Sequence, residues 1–416
     1  MASLTADTAR PTASANARRA ARPYFVVSCV GLVVMNLLTF FYHLSANFAF
    51  SAMINTVGIV LIGYALLTAL RSETDDPTGK AFLAVATVAI AVSLVVNRSD
   101  ASLTDALKYL SIYIFYAAGR SCRAPFRPVE LICLYILAAL PIAFLFVGSS
   151  KIYNNANFAY LPNANTAVLY FSAILFAASH VYGNLAILLQ LLSAALMNKI
   201  GAIVATVIAI GIWIAVPLRR ESIVVGVGGI LIGVVAFMLG AFDRAMSVLD
   251  DLAVAFSLDP HSVASMSYRE LVALTGTTDL SGFFRWIHWS NIWDLYTNGG
   301  LGTWLFGYGA GQTATLTFAG TAPHNDYLRI LAEYGVFNLI IFVCFLVHIL
   351  RALVSGAGKV MFLVLCVYFF SENLLDNFTS MTLFFAYAGR LQARQPFVGR
   401  SSVTAWAGQH RQPRRE

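Results

Sequence analysis

Apolar residues run through this chain in long continuous stretches, broken by short polar segments that carry its arginines and lysines. Stretches of that length predict about twelve membrane-spanning helices. They lie near 24–42, 47–70, 80–96, 103–119, 129–148, 165–181, 183–198, 200–217, 222–242, 326–350, 357–371 and 374–389. None alternates apolar and polar positions, which argues against a transmembrane barrel. Only Asn198 and Lys199 separate the seventh and eighth runs. One polar segment, 243–325, is far longer than the rest. Loops of that length without structure are uncommon, so it is expected to fold into helices lying at the membrane surface.

Composition sharpens this picture. The chain is 59% hydrophobic and 11% charged, whereas a soluble domain carries roughly 25% charged residues. Its solvent must be largely lipid, and the fold class is an all-α polytopic membrane protein. The predicted organisation is a disordered cytoplasmic N-terminus at 1–23, nine spans within 24–242, an external helical loop at 243–325, three further spans within 326–389 and a basic cytoplasmic tail at 390–416. The N-terminal stretch lacks a short apolar core with a small-residue cleavage site, so the first span is expected to be retained.

Charge gives an orientation. With the N-terminus inside, Arg71, Lys80, the cluster Arg120, Arg123 and Arg127, the pair Arg219 and Arg220, then Arg351, Lys359 and Arg390 all fall on the inner side. That is the positive-inside pattern. The basic clusters are separated by spans and lack interleaved aromatics, which argues against a nucleic-acid surface. Cys29, Cys122, Cys133, Cys344 and Cys366 lie in predicted spans or an inner loop, so neither a disulfide nor a metal cluster is expected.

The candidate chemistry then gathers outside. His324, Asn325 and Asp326 close the long segment directly before the tenth span, and a polar cluster held at a helix mouth in a membrane is a functional candidate. A neutral imidazole near pH 7 can take a proton from a hydroxyl. Within the loop, Phe283 to Tyr296 repeats aromatics every three or four positions, as an interfacial helix does, with Arg285 among them. Lys199 sits in the tight turn, and Asn163 and Asn165 open the sixth span. Neither Lys199 nor Arg285 has an acid beside it in the sequence, so each is read as wanting an anion, a role in which Arg offers a two-pronged grip. Snorkelling to headgroups is the plainer alternative. Glu333 follows His324 by nine residues, about 180° around an ideal helix, so it is expected to orient a neighbouring helix. The glycine-rich stretch Gly302 to Gly311 has no Lys-Ser or Lys-Thr after it and reads as a tight turn, not a phosphate loop.

At these residues the chain resembles the O-antigen ligase and O-antigen polymerase superfamily of bacterial envelope glycosyltransferases. The family pattern is a loop Arg followed by Trp, a G-x-G turn, then H-N-x-x-L-x-x-L-x-E-x-G at a span mouth. Here these are Arg285 and Trp289, Gly307-Tyr308-Gly309, and His324, Asn325, Leu328, Leu331, Glu333 and Gly335. Pro162, Asn163 and Asn165 are similar to an earlier motif. Members carry Ser-Arg ahead of the eighth span, where this chain has Asn198-Lys199, which keeps the charge without the planar fork.

The resemblance implies a metal- and cofactor-independent transferase in the bacterial inner membrane, with cytoplasmic termini and a periplasmic site. Its donor would be an undecaprenyl-diphosphate-linked oligosaccharide, and its acceptor a glycan or lipid A–core, with a chain-length regulator or export proteins as partners. Polymerase and ligase both stay open; YLPNANTAVLY and SENLLDNFTSMTLFFAYAGRLQ lean towards a polymerase. In the expected mechanism Arg285 and Lys199 stabilise the leaving diphosphate and His324 takes the acceptor proton. Asn325 or Asp326 orients the ring, with Asn165 and Glu333 in support. The rivals are a lipid-linked glycan flippase and a non-catalytic scaffold. The chain shows no internal repeat between its halves, and its charges lie at the interfaces, unlike a transporter.

Overall fold

Helices are the only regular elements among the residues that the computed structural model describes: 23–72, 77–97, 101–122, 126–147, 151, 161, 164–197, 199–214, 266–276, 281–317 and 320–392. The predicted ninth span at 222–242, Asn163, Arg219, Arg220, residues 243–265 with His261, and the end segments 1–22 and 393–416 lie outside the described residues. In chain order the helices are α1 (Tyr24–Ser45), α2 (Phe48–Arg71), α3 (Thr78–Val96), α4 (Leu103–Ser121), α5 (Pro128–Val147), α6 (Ala164–Tyr182), α7 (Leu185–Leu196) and α8 (Ile200–Ile214). They continue with α9 (Tyr268–Thr275), α10 (Ser281–Thr297), α11 (Leu301–Phe306), α12 (Gln312–Leu316), α13 (Asp326–Ala352), α14 (Gly356–Tyr368) and α15 (Phe378–Arg390).

Six of these, α1, α2, α3, α5, α6 and α13, are long and apolar enough to cross a bilayer. Their outward faces carry large apolar side chains such as Ile59, Val60, Val88, Phe146 and Ile340, the surface that lipid would cover. α7, α8 and α14 are apolar but shorter. The 12 residues of α7 reach about 18 Å, against roughly 30 Å of hydrocarbon. The α6–α7 turn is set by Gly183, whose φ of 55° ends α6 in the left-handed region.

α4 and α15 occupy predicted spans but are too polar to face lipid, and they form the interior instead. Every α15 residue from Thr379 to Arg390 is buried. The two helices meet backbone to backbone. A Cβ on Gly119 would lie 2.0 Å from the Ala386 carbonyl oxygen, and one on Gly389 would lie 2.5 Å from the Tyr116 oxygen. Small residues at a crossing let membrane helices approach this closely. α2 and α3 pack on α4, and α6 packs on α15.

Arg390, which the charge pattern assigns to the basic tail, is buried at one end of this core. Its guanidinium pairs with Glu130 and lies 4.1 Å from the Phe25 ring centroid, while Tyr387 donates to the same carboxylate at 3.0 Å. It ties α15 to α5 and α1.

α13 is not one straight helix. Gly335 has φ 80° and ψ 177°, a backbone state that is essentially glycine-only, and it divides the helix in two. The break frees carbonyls that an unbroken helix would use. The backbone N–H groups of Tyr308 and Gly309 donate to Ala332 and Glu333 at 2.8 and 2.9 Å. The G-x-G turn read from the sequence is thus the piece that seals the break in α13.

Candidate active site

The segment before α13 places His324. Asn325 caps the helix, its Oδ1 accepting from the Leu328 N–H at 3.0 Å. Asp326 is fully buried, and its Oδ2 accepts from the N–H groups of Leu374 and Leu375 at 2.6 and 3.2 Å. Its own N–H donates to the Phe369 carbonyl at 2.8 Å, and the Asn373 side chain donates to the Ala322 carbonyl at 3.0 Å. Together these bonds clamp the α14–α15 connection against the His324 segment.

That connection carries Glu372, whose side chain is 8% exposed. Its Oε1 accepts from Arg285 Nη2 at 2.7 Å and from the Asn165 side-chain amide, and its Oε2 lies 3.3 Å from His324 Nδ1. One carboxylate therefore gathers donors from α10, α6 and the mouth of α13. A carboxylate accepts, so the ring proton sits on Nδ1 and the lone pair on Nε2 is left to act as a base.

In α10, Phe283, Ile287, His288, Ile292 and Tyr296 are buried and hold the helix in place. Arg285 and Trp289, four apart, both face the α14–α15 connection, where Trp289 meets the Phe370 ring edge-on at 5.4 Å between centroids. The aromatic stretch thus anchors the helix and fixes the register of its arginine.

The structure joins Arg285, Asn165 and His324. Lys199, half-buried in the α7–α8 turn, caps α8 with its carbonyl; the contacts that join the other three run through Glu372. The expectation that Arg285 lacks a neighbouring acid is corrected by Glu372, which is distant in sequence. The expectation that Asn325 or Asp326 orients the imidazole is corrected too: their side chains serve the helix cap and the loop clamp, and Glu372 holds the ring. Sequence reading missed Glu372; the signal was an acid in the short turn between the last two predicted spans, which the charge pattern puts on the outer side.

Glu333 belongs to a second network. Fully buried, it accepts from Arg329 Nε at 3.3 Å and from the Thr313 hydroxyl at 2.5 Å. Arg329 also donates to Asp376 at 2.8 Å, and Lys108 bridges Asp105 and Asp376 at 2.9 and 3.2 Å. This network braces α4, α12 and α13 and reaches Asp376, four residues beyond Glu372. Among the described residues no group of His, Cys, Asp and Glu is arranged to hold a metal ion.

His288 is the second histidine nearby. Its Nε2 lies 3.0 Å from the Thr317 hydroxyl, which itself donates to the Thr313 carbonyl at 2.7 Å, so Nε2 carries the proton. Burial, then the charge of neighbouring His324, pushes its pKa down from 6.5 to about 4. The fold favours the neutral ring, while the unfolded segment takes up a proton first. The contribution of His288 to stability is therefore whole above about pH 6.5 and is lost as pH falls towards 4. His288→Gln, which keeps a donor to Thr317, is expected to flatten the decline of the thermal midpoint between pH 6.5 and 4. Parallel melting curves for the two proteins check this, and an unchanged slope contradicts it.

These features define an all-helical membrane protein with a charged, hydrogen-bonded cluster at one end of its bundle. Residues 185–343 match the family model described as O-antigen ligase, which supports the resemblance to the O-antigen ligase and polymerase superfamily. The match includes Lys199, Arg285, His324 and Glu333, and leaves Asn165 and Glu372 outside it. No curated protein matches the chain.

Proposed function

We propose that this protein is a metal-independent, inverting glycosyltransferase that polymerises polysaccharide repeat units at the periplasmic face of the inner membrane. Its donor is an undecaprenyl-diphosphate-linked oligosaccharide, and its acceptor is a hydroxyl of another glycan. The observation that carries this reading is the shared carboxylate: Arg285 and His324 meet on Glu372 at 2.7 and 3.3 Å. A phosphate-binding cation and a base are thereby held side by side.

The acceptor oxygen attacks the anomeric carbon while the bond from that carbon to the diphosphate oxygen breaks. The hydroxyl proton passes to His324 Nε2, and the electron pair leaves with the diphosphate. Arg285 faces the charge that develops there, in a partly water-excluded site where such an interaction counts for more than in water. Attack opposite the leaving group inverts the anomeric configuration. Lys199 is proposed to hold phosphate as a point charge further along the donor. Asn165 supports Glu372, and Asn325, Asp326 and Glu333 hold the frame around the ring.

Purified protein in detergent tests this directly, because detergent abolishes any transport signal. With lipid-linked repeat units alone, the expected product is a longer lipid-linked glycan. A product only when lipid A–core is added reassigns the protein as a ligase. A folded protein that makes neither, yet moves lipid-linked glycan across vesicles, overturns the reading in favour of a flippase.

A further inference from the structure

We propose that Glu372 is the resting counter-anion of the site, which the donor diphosphate displaces from Arg285 and whose charge then acts on His324, so that donor binding switches on the base. The inference rests on the functional reading above and deepens it.

Three observations carry it. First, the carboxylate is divided between its partners: Oε1 faces Arg285 and Asn165, and Oε2 faces His324. Second, the grip on Arg285 is incomplete. Only Nη2 is engaged, the buried Nε has no hydrogen-bond partner, and the side chain is 29% exposed. Carboxylate and phosphate are both best bound by two prongs of the guanidinium fork; this carboxylate uses one, leaving Arg285 open to an anion that can use two. Third, the loop bearing Glu372 is pinned by Asp326 and Asn373. When Arg285 turns to another anion, the carboxylate stays where it is.

The consequence follows from charge. At rest, Arg285 neutralises much of the carboxylate and weakens its pull on the imidazole N–H. Once diphosphate takes Arg285, the negative charge falls on His324 Nδ1–H and strengthens Nε2 as a proton acceptor. Binding and base strength are then coupled, and the coupling is reciprocal. Glu372 is a positioning residue: it touches the base and the anion-binding arginine, not the reacting atoms.

The test uses Glu372→Gln in the full-length protein, with inorganic pyrophosphate as the binding probe and lipid-linked donor for turnover. Glutamine keeps the size and removes the competing charge. Pyrophosphate is expected to bind about two- to fivefold tighter, the effect of removing one screened charge contact. Meanwhile kcat falls about 10- to 100-fold, as when a group that orients an active side chain is lost. A purely structural Glu372 would weaken both. Glu372→Asp, which restores the charge, is expected to return pyrophosphate affinity towards wild type. If Arg285→Ala abolishes pyrophosphate binding but Glu372→Gln fails to tighten it, this inference falls and the functional reading stands. If the folded wild-type protein binds no pyrophosphate, or Arg285→Ala leaves its binding unchanged, the functional reading falls with it.

Discussion

Replacing His324 by alanine is expected to lower kcat by about 10² to 10⁴, the contribution of a general base positioned on its proton. Donor binding should change little, because Arg285 keeps its own seat on α10. The ring is held at Nδ1 by Glu372, which leaves Nε2 to take the acceptor proton in the proposed reaction; alanine removes the ring and that contact together. In cells that lack the native protein, the variant should leave glycan at the length of a single repeat unit while reaching the membrane at wild-type amount. A full-length ladder at wild-type expression would remove His324 from the reaction.

The second large effect is conformational. Gly335→Ala is expected to lower the thermal midpoint in detergent and to cut activity with it. The backbone at 335 lies in a region that costs other residues about 1–3 kcal/mol. An added Cβ would also stand 2.2 Å from the Leu305 carbonyl oxygen, so α11 or the first half of α13 must move. Overpacking of this kind typically costs a further 1–3 kcal/mol. The movement would open the bonds from Tyr308 and Gly309 that seal the break and disturb the half-helix that begins at the Asn325 cap beside His324. Gly302→Ala is the control, since its Cβ would enter open space. If both variants melt together with wild type, the break is not maintained by glycine.

Much of this arrangement was legible in the order of residues. The aromatic run 283–296 became α10, and the polar triplet at 324–326 marks the start of α13, because an Asn cap and interfacial aromatics act locally. The lipid-facing helices followed from hydropathy for the same reason, since each contacts its solvent one residue at a time. Arg285 and His324 stood out by residue type and by their place at the membrane edge.

What the chain alone determined is therefore a helical membrane protein, its candidate spans and the side chains able to do chemistry. Only the folded bundle decided which of them meet. Glu372 is separated from Arg285 by 87 positions and from His324 by 48, and a charge pair over that span leaves no periodic trace. Likewise, the run at 374–389 reads as one more span, and only packing shows α15 wrapped in other helices. A kink at Gly335 requires a second segment to satisfy its freed carbonyls. Each of these depends on a partner brought in by packing, and packing is a property of the whole.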